Sequence, residues 1–543
     1  MESDLTKFHE EILELYKEVL NNKEVKFTDN FFQVGGDSMK AITLMEKINE
    51  KYKTKISLTD VLTFITGLEL NVYDMASKLY EQINDKNNKE SLPLKHRSEE
   101  ISNIPLSFVQ QGMWIEEIMN GVELEDNTQR YNVVGHAKIK VDNFNLSDFE
   151  NALCDLIEET IALRIYFKVE EFNPRIAIHN FKRDEFHIKI EEYPNLEFNE
   201  MIEYMEKAEQ TYKYEFDKYP LFHFRLGRDK DGNLIFLLAI HHLIADAYSV
   251  LQLLLQKVED LYFKTNKESI TNKTDIDYID YILWQRESYE KGYFNKDIQY
   301  WKEKLSGDIP ILNLSNKETI DWQTCNSCSQ LIDVPDSVIE KLKDICSEEM
   351  VTTYSGFVLS MYIFLYYMFD ETDLAVGGTN GGRIHEEFQS IIGNFASIQL
   401  LRTKIDPKKS YRELLKDVKE TINGSYLHSP LPCGMMMREV GLEQEYFYIP
   451  YKILVNYVDS DIKERELFGR FNFSTNALVD FGLSILQPSG KYEISFLYKE
   501  NLFEAEEVKE FADIMTNILK EIVKDPQIPI EEYKTIIDKK MYT

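Results

Sequence analysis

The sequence lacks the features of a secreted, membrane-embedded or nucleic-acid-binding protein. It has only five cysteines in 543 residues, a small odd number that argues against a disulfide framework. Acidic residues outnumber basic ones by 94 to 62, and the net charge of −32 disfavours nucleic acids and anionic membranes, which bind basic patches. No apolar run is long enough to cross a bilayer, and the acidic, amphipathic N-terminus is not typical of a secretory signal. We therefore expect a cytoplasmic protein.

Several catalytic and metal-binding motifs are absent from the sequence as well. It contains neither a glycine-rich phosphate loop of the Walker type nor a GxSxG nucleophile motif. Cys325 and Cys328 form one CxxC pair, but no second pair of cysteines or histidines stands nearby, so we predict no metal site. The hydrophobic content of 43% is enough to fill sizeable cores in a chain of several domains.

The most informative segment is Leu234–Ser249, LIFLLAIHHLIADAYS. Its first seven residues are all hydrophobic, which predicts a strand buried on both faces. Because side chains alternate on a strand, we expect His241 and His242 to point to opposite faces, one towards a cavity and one into the core. This arrangement makes them poor ligands for a single metal ion. A neutral imidazole at the end of a buried strand can instead accept a proton from a nucleophile.

A second motif lies near the N-terminus, where Phe31–Ile42 reads FFQVGGDSMKAI. The two glycines predict a flexible turn, Asp37 and Ser38 are good N-cap residues, and a helical pattern follows. Ser38 is therefore expected at an exposed helix start, where backbone N–H groups and the helix dipole favour a phosphate. An amphipathic helix precedes the motif, and another is predicted over Val72–Ile83.

These two motifs carry a resemblance to a known family. Residues 1–83 resemble a peptidyl carrier domain of nonribosomal peptide synthetases, with FFQVGGDS as the attachment motif. Residues from about 103 to 535 resemble a condensation domain of the same systems, whose HHxxxDG motif appears here as His241–Ala247. The resemblance implies a small four-helix carrier domain followed by an α/β condensation domain. The latter is expected to consist of two chloramphenicol-acetyltransferase-like subdomains in a V shape, with the active site between them.

The predicted domain boundaries follow from this resemblance and from one polar segment. We predict a carrier domain over 1–83, a linker over 84–102, an N-terminal condensation subdomain over 103–275, a C-terminal subdomain over 276–535 and a tail over 536–543. The segment 84–103, NDKNNKESLPLKHRSEEISN, which contains this linker, is polar and charged. Periodicity further predicts helices over Phe149–Leu163, Val250–Tyr262, Val351–Phe369 and Glu504–Val523, and a strand over Arg164–Val169.

Five more segments match the condensation pattern in the family's order. They are LSFVQQGMW at Leu106–Trp114, YIDYILW at Tyr278–Trp284, YWKEKLSG at Tyr300–Gly307, VGGTNGGR at Val376–Arg383 and IGNFASIQLLR at Ile392–Arg402. Three other features depart from that pattern. ETIALR at Glu159–Arg164 replaces RHExLR, HSPLP at His428–Pro432 is a reduced HQDxPFE, and Ala247 replaces a glycine. Gly112 and Ser397 also stand where arginine and asparagine are usual. We expect the extra methyl of Ala247 to narrow the channel by which an acceptor reaches His242.

The resemblance implies amide-bond formation between a thioester and an amine, that is, an acyltransferase. It places 4′-phosphopantetheine on Ser38, where the cofactor would carry the donor acyl or peptidyl group. Since no adenylation-type nucleotide motif is found, a separate adenylation protein or upstream module would load the carrier, and a phosphopantetheinyl transferase would install the cofactor. The acceptor would be a carrier protein acting in trans or a free amine. We expect neither nucleic acid nor a membrane as a partner.

The catalytic roles implied by the resemblance fall on the motif His241, His242 and Asp246. His242 would orient the acceptor amine and take its proton. Asp246 would organise the loop through an ion pair, with Arg383 as the first candidate partner and Arg164 as the second.

Two alternatives to amide-bond formation stay open from the sequence. Epimerisation domains share the fold and an HHxxxD motif, and Val455–Asp459, VNYVD, is similar to their FNYLG segment, but their EGHGRE motif has no counterpart here. A non-catalytic docking platform of the same fold is compatible with the reduced motifs, although such domains typically lose the histidines that this chain keeps.

Overall fold

The computed structural model describes most of the chain, in separate stretches. These are residues 2–31, 34, 36, 38–52, 71–84, 94, 96–97, 103–123, 129, 131–140, 144–170, 173–264, 276–310, 312, 314–315, 327–442, 452–458, 465–475, 479–487 and 491–541. Within these stretches no helix is long and apolar enough to span a membrane. The same stretches contain no group of three or more histidine, cysteine, aspartate or glutamate residues placed to hold a metal ion.

The N-terminal region is helical. Its described helices are α1 (Glu2–Val19), α2 (Ser38–Tyr52) and α3 (Val72–Asn84). Apolar residues on one face of each helix form a common core, with Ile12, Leu44 and Leu79 fully buried. The amphipathic pattern of the sequence is sufficient to bring these faces together. The described residues thus contain three of the four helices predicted for a carrier domain, and residues 53–70 lie outside them.

The larger region begins with elements that supply four strands of a first, five-stranded sheet and a separate two-stranded sheet. They are α4 (Phe108–Glu123), β1 (Asn132–Ile139), α5 (Leu146–Glu159), β2 (Ile165–Glu170), β3 (Asn173–Ile178), β4 (Ile190–Glu192), α6 (Phe198–Gln210), β5 (Phe222–Arg228), β6 (Leu234–His241) and α7 (Leu255–Phe263). The remaining elements supply the second sheet, its helices and the fifth strand of the first sheet. They are α8 (Tyr278–Glu290), α9 (Asn295–Lys304), β7 (Ser327–Leu331), α10 (Asp336–Glu348), α11 (Thr353–Phe369), β8 (Asp373–Asn380), β9 (Ser397–Lys404), α12 (Tyr411–Leu427), α13 (Cys433–Val440), β10 (Ile453–Val458), β11 (Phe468–Thr475), β12 (Phe481–Leu486), β13 (Glu493–Lys499), α14 (Ala505–Lys524) and α15 (Ile530–Met541).

Strand β6 lies at the centre of the first sheet, whose order is β11-β1-β6-β5-β4. All eight of its residues are buried, as the continuous apolar run predicts. Phe236, Leu238 and Ile240 join the large core on one face, whereas Ile235 and Leu237 pack in a smaller cluster with methionines of α6. The strand ends at His241, and His242 is the first residue beyond it.

The second sheet has the order β7-β13-β12-β10-β8-β9, and helices α10, α11, α12 and α14 share its core. The aromatic-rich helix predicted over Val351–Phe369 is observed as α11. It begins after Thr352, whose hydroxyl accepts a hydrogen bond from the Ser355 N–H at 3.2 Å and so caps the helix.

The two halves of the larger region are interlocked. Strand β11 lies in the predicted C-terminal subdomain, yet it pairs antiparallel with β1 of the first sheet. Gly135 permits this close approach, because a Cβ atom there would lie 2.3 Å from the ring of Phe471. Helix α15 also runs across the predicted boundary at residue 535, and Ile537 is fully buried in the second core. A strand from the second half of the chain is therefore part of the first sheet, and α15 continues past residue 535.

The described part of the predicted linker is attached to the larger region. The Arg97 guanidinium makes two hydrogen bonds of 2.6 and 2.8 Å with the carboxylate of Asp277, the N-cap residue of α8. The backbone N–H of Arg97 donates to Asp280 at 2.9 Å, and His96 Nδ1 lies 3.0 Å from the same carboxylate. These contacts hold the linker at the start of α8.

Candidate active site

The histidine pair lies where β6 leaves the first sheet. The His241 N–H donates to the Leu221 carbonyl at 3.0 Å, and the His242 N–H donates to the Tyr131 carbonyl at 2.8 Å. The backbone therefore stays paired on both sides through the motif. This pairing gives the two imidazoles a rigid support at the point where the chain turns away from the sheet.

His241 is a fully buried residue. Its ring packs against Phe216, with a centroid distance of 4.9 Å. Nδ1 accepts a hydrogen bond from the Leu243 N–H at 3.2 Å, so the ring proton lies on Nε2, which is 3.5 Å from Oε1 of the buried Glu117. The surroundings of His241 thus fix its orientation and leave it without access to a substrate.

His242 is only half-buried, although its Nδ1 atom is enclosed. Burial lowers the pKa of His242 below the usual value for histidine, because it disfavours the charged ring, and the nearby Asp246 carboxylate opposes this shift only in part. The imidazole is therefore neutral at physiological pH. A neutral ring on a partly exposed residue can accept a proton from an incoming nucleophile.

Asp246 is almost fully buried, with 1% of its surface exposed, and its carboxylate is saturated with donors. It accepts hydrogen bonds from the backbone N–H groups of Ser249 (2.7 Å), Phe395 (3.0 Å) and Ala396 (3.2 Å). Burial alone would raise the pKa of Asp246, but Arg383 and these N–H donors outweigh it and hold the pKa below its usual range. A carboxylate so enclosed supports its loop and has no free face for a substrate.

Arg383 is the cation that contacts Asp246, at 3.2 Å. Its guanidinium also donates to the Ser249 hydroxyl (2.7 Å) and to the carbonyls of Ile391 (2.8 Å) and Phe388, and it lies over the Phe395 ring at 4.1 Å. The ion pair thereby joins the loop after β6 to two loops of the second half of the chain.

Arg164, the second candidate partner, lies in a different environment. It ends a short 3₁₀ helix, and the carboxylates that act on it are those of Asp277 and Glu158. Burial lowers the pKa of its guanidinium.

The chain after the motif differs from the continuous helix predicted over Val250–Tyr262. Residues Ser249–Leu254 form a π-helical turn, and regular α-helix begins only at Leu255. Such turns widen a helix locally and are frequent at functional sites. Ala247, which replaces the usual glycine, is partly buried against the main core.

Two residues near the histidines were not predicted from the sequence. Glu117 lies on α4, three residues beyond the motif LSFVQQGMW, and bridges the Tyr131 N–H (3.1 Å) and His241. Asn394 is fully buried inside the IGNFASIQLLR segment. A polar side chain between Gly393 and Phe395 is the one signal that points to it in the sequence.

The carrier region contains the predicted attachment serine. Ser38 is the first residue of the 15-residue helix α2, where the helix dipole favours a phosphate. Gly36 lies against Phe31, because its N–H donates to the Phe31 carbonyl at 2.9 Å and a Cβ atom there would meet the Phe31 ring at 2.3 Å. Gly35 and Asp37 of the motif lie outside the described residues. A serine as the first residue of a helix fits a phosphodiester-linked cofactor.

Comparisons with protein families agree with both regions. The model described as "Condensation domain" matches residues 100–542, and the one described as "Phosphopantetheine attachment site" matches residues 10–69. The second match identifies 4′-phosphopantetheine as the covalent cofactor of this chain. Because attachment is enzymatic, the match also implies a phosphopantetheinyl transferase as a partner.

Curated relatives are large peptide synthetases. Gramicidin S synthase 2 from Brevibacillus brevis is 24% identical over 536 residues, which cover 97% of this chain and 11% of that protein. Surfactin synthase subunit 1 from Bacillus subtilis (strain 168) is 24% identical over 541 residues, which cover 97% of this chain and 14% of that protein. The chain therefore spans only a small part of these relatives.

Solved structures confirm the α/β condensation fold. The X-domain from teicoplanin biosynthesis superposes with a TM-score of 0.68 at 14% identity, over 81% of this chain and 99% of that chain. The first condensation domain of the calcium-dependent antibiotic synthetase gives a TM-score of 0.65 at 15% identity, over 80% of this chain and 99% of that chain. At these identities the matches establish the fold. The chain belongs to the condensation-domain family of nonribosomal peptide synthetases and carries a phosphopantetheine attachment domain ahead of its condensation domain.

Proposed function

We propose that this chain forms an amide bond between an acyl or peptidyl thioester carried on Ser38 and the nitrogen of an acceptor amine. The observation that carries the proposal is the contrast between the two motif histidines. His241 is enclosed and fixed, whereas His242 is partly exposed and has a pKa lowered by burial. The family's fold supports the same reaction class.

His242 acts as the base in this proposal. Its neutral ring orients the amine and takes the proton that the nitrogen loses as the new C–N bond forms. The C–S bond of the thioester breaks, and the proton ends on the released thiol, so the reaction needs no other reagent. A positioned base of this kind contributes about 10² to 10⁴ in rate.

Asp246 and Arg383 support this base without touching the substrate. Their buried ion pair ties the loop after β6 to the segments around Phe388 and Phe395. The position of His242 relative to the second half of the chain therefore depends on this pair.

Ser38 is the proposed attachment residue. The 4′-phosphopantetheine supplies a thiol on a flexible arm, which holds the donor as a thioester and tethers it to the chain. Tethering replaces a bimolecular encounter by an intramolecular one and raises the effective concentration of the donor.

The proposed partners follow from the chemistry that this chain lacks. A separate adenylation protein or upstream module loads the carrier, and the acceptor is a second carrier protein or a free amine. The curated relatives are themselves peptide synthetases, which supports partners of this kind. The cytoplasmic location stays a prediction from composition.

A docking role is the second candidate, and one comparison favours it. The X-domain from teicoplanin biosynthesis, which shares this fold, has also been solved in a complex with OxyB. A docking platform does not need a base, so replacing His242 would leave its binding unchanged. For epimerisation the structure adds no support: the similar segment VNYVD lies on β10 in the second sheet, and its last residue, Asp459, lies outside the described residues.

Intact-protein mass spectrometry of the loaded chain tests the proposal. An acyl- or aminoacyl-pantetheine is installed on Ser38, and free amines and aminoacyl carriers are added in turn. Loss of the acyl mass that depends on the amine, with the amide as product, is the expected result. Ser38→Ala should accept no cofactor mass, and His242→Ala should keep its acyl group.

The matched control is His136→Ala. His136 lies on β1 of the same sheet and pairs with Glu206 at 2.7 Å, away from the motif. It should react like the wild type. Amine-dependent release that proceeds equally in His242→Ala would contradict the role of this ring. A retained acyl mass with deuterium uptake at its α-carbon would favour epimerisation.

A further inference from the structure

Ser249 is a fully buried serine at the start of the π-helical turn that follows the histidine motif. Its backbone N–H donates to the Asp246 carboxylate at 2.7 Å, and the Val250 N–H donates to the Asp246 carbonyl at 3.0 Å. Asp246 is thus the N-cap of this helix, and Ser249 is its third residue. The π-helical turn sets the direction of the Ser249 side chain, because one extra residue in a turn rotates the preceding residues by about 100°.

The hydroxyl of Ser249 uses all of its hydrogen-bonding capacity. It donates to the Gly393 carbonyl at 2.7 Å and accepts from the Gly393 N–H at 3.0 Å. It also accepts from the Arg383 guanidinium at 2.7 Å. A hydroxyl offers one proton and two lone pairs, so these three bonds leave nothing free for solvent or substrate. Ser249 therefore holds both backbone polar groups of Gly393.

Gly393 begins a segment of the second half of the chain that is bonded to the histidine loop along its length. The Asp246 N–H donates to the same Gly393 carbonyl at 3.1 Å. The N–H groups of Phe395 and Ala396 donate to the Asp246 carboxylate at 3.0 and 3.2 Å. The loop after β6 and the segment 393–396 are therefore joined by several hydrogen bonds, and Ser249 supplies those at the Gly393 end.

We propose that Ser249 is a positioning residue for His242. His242 lies between two anchors, which are its own N–H bonded to the Tyr131 carbonyl at 2.8 Å and the Asp246–Ser249 helix start that follows it. Without the hydroxyl, the Gly393 N–H would have lost its acceptor in an enclosed site, and the loop would shift to find another. A base contributes only when it is held within reach of the proton that it takes, so such a shift lowers the rate even in a folded protein. The inference deepens the base role proposed above, because it names a group that holds the base in place.

The first experiment compares Ser249→Ala with the wild type in the full, unloaded chain. Hydrogen exchange, read by mass spectrometry with fragmentation of the peptides, should become about tenfold faster at the amides of Gly393, Phe395 and Ala396, because a hydrogen bond that closes this segment is lost. Carbethoxylation of His242 by diethyl pyrocarbonate, read on the peptide that contains it, should become about threefold faster, since the loop that holds the ring opens more often.

The second experiment uses the loaded chain and a panel of amines, at a temperature well below the melting temperature of the variant. The rate of acyl release at saturating amine should fall about tenfold in Ser249→Ala, because the base is displaced from its working position. The amine concentration that gives half of the maximal rate should change by less than about twofold, because Ser249 has no bond left for the amine.

Ser360→Ala is the matched control. Ser360 is also fully buried, and its hydroxyl donates to the Gly356 carbonyl at 2.8 Å within α11, away from the histidine loop. Its substitution should lower the melting temperature but leave the exchange at Gly393, the reactivity of His242 and the rate of acyl release at their wild-type values.

Two results would overturn the inference. One is a reactivity of His242 that stays at the wild-type value in Ser249→Ala, whether or not exchange at Gly393 becomes faster, since Ser249 would then have a structural role alone. The other is a loss of rate that Ser360→Ala reproduces. If no amine releases the acyl group from the wild type, the proposed base role fails, whereas the reactivity of His242 in the unloaded chain still decides the role of Ser249.

Discussion

Replacing Asp246 by asparagine tests whether this residue supports the loop or acts on the substrate. The carboxylate has two acceptor oxygens that receive three backbone N–H groups and the Arg383 guanidinium. An asparagine side chain keeps one of these oxygens and places an NH₂ group where the other stood. In either orientation at least one N–H group then faces another donor, and Arg383 loses its counter-charge.

The expected cost follows from burial. Removing one partner of a buried ion pair costs about 3 to 5 kcal/mol, because it leaves the other charge without compensation. Arg383 retains the carbonyls of Phe388 and Ile391 and the Ser249 hydroxyl, which favours the lower end of that range. A loss of about 3 kcal/mol lowers the melting temperature by roughly 6 °C at about 2 °C per kcal/mol, the low end for large domains.

Calorimetry or circular dichroism on the full chain measures this change, alongside the rate of amine-dependent acyl release. Asp373→Asn is the matched control, since Asp373 makes two hydrogen bonds of similar length with Arg402 but lies at the surface with 25% of its side chain exposed. Its substitution should cost about 1 kcal/mol or less. An Asp246→Asn variant that loses turnover while its melting temperature stays at the wild-type value would refute the structural assignment.

The pH dependence of the same variant provides an independent check. The folded protein holds the pKa of Asp246 below its usual range, so the ionised carboxylate stabilises the fold above its unfolded pKa of about 3.9. This stabilisation is lost as the pH falls through the folded-state pKa. The difference in the free energy of unfolding between wild type and Asp246→Asn should therefore be constant between about pH 8 and pH 5 and shrink below about pH 4.

Three further predictions concern the base, the linker and a tight contact. The rate of acyl release should rise with pH only up to a pH below about 6.5 and then stay constant, because burial lowers the pKa of His242. A rate that still rises above about pH 7.5 would contradict this role. Arg97→Gln should free the linker from Asp277 and speed cleavage of the linker by a protease of broad specificity. The free energy of unfolding should fall by about 1 kcal/mol or less. Unchanged cleavage would mean that this contact does not hold the linker. Gly393→Ala should destabilise the fold by about 1 to 3 kcal/mol in urea unfolding, since its Cβ would lie 2.2 Å from the Tyr278 ring; an unchanged midpoint would show that the ring moves aside freely.

Local sequence patterns predicted the elements that depend on neighbouring residues. The apolar run before His241 is observed as a fully buried strand, and the aromatic-rich stretch ending at Phe369 as a buried helix. Strand alternation also separates the two faces of β6. His241, the last residue of the strand, is buried, and His242, the next residue, is partly exposed. The family's motifs supplied the fold class and the cofactor, and both are confirmed by the family and structure comparisons.

Periodicity could not predict how distant segments meet. It did not foresee that β11 pairs with β1, that Ser249–Leu254 is π-helical, or that α15 runs past residue 535. Each of these features depends on packing between elements. The ring of Phe471, for example, occupies the space that a side chain at Gly135 would need. A hydrophobic pattern predicts which residues are buried, but it does not predict which other element packs against them.

The sequence by itself thus determined that a histidine ends a buried strand and that an aspartate follows within reach of its loop. Only the tertiary structure decided that the carboxylate of Asp246 is saturated by Arg383 and by backbone N–H groups from residues 395 and 396. The physical reason is that buried polar groups must find partners, and in this fold those partners lie about 150 residues away along the chain.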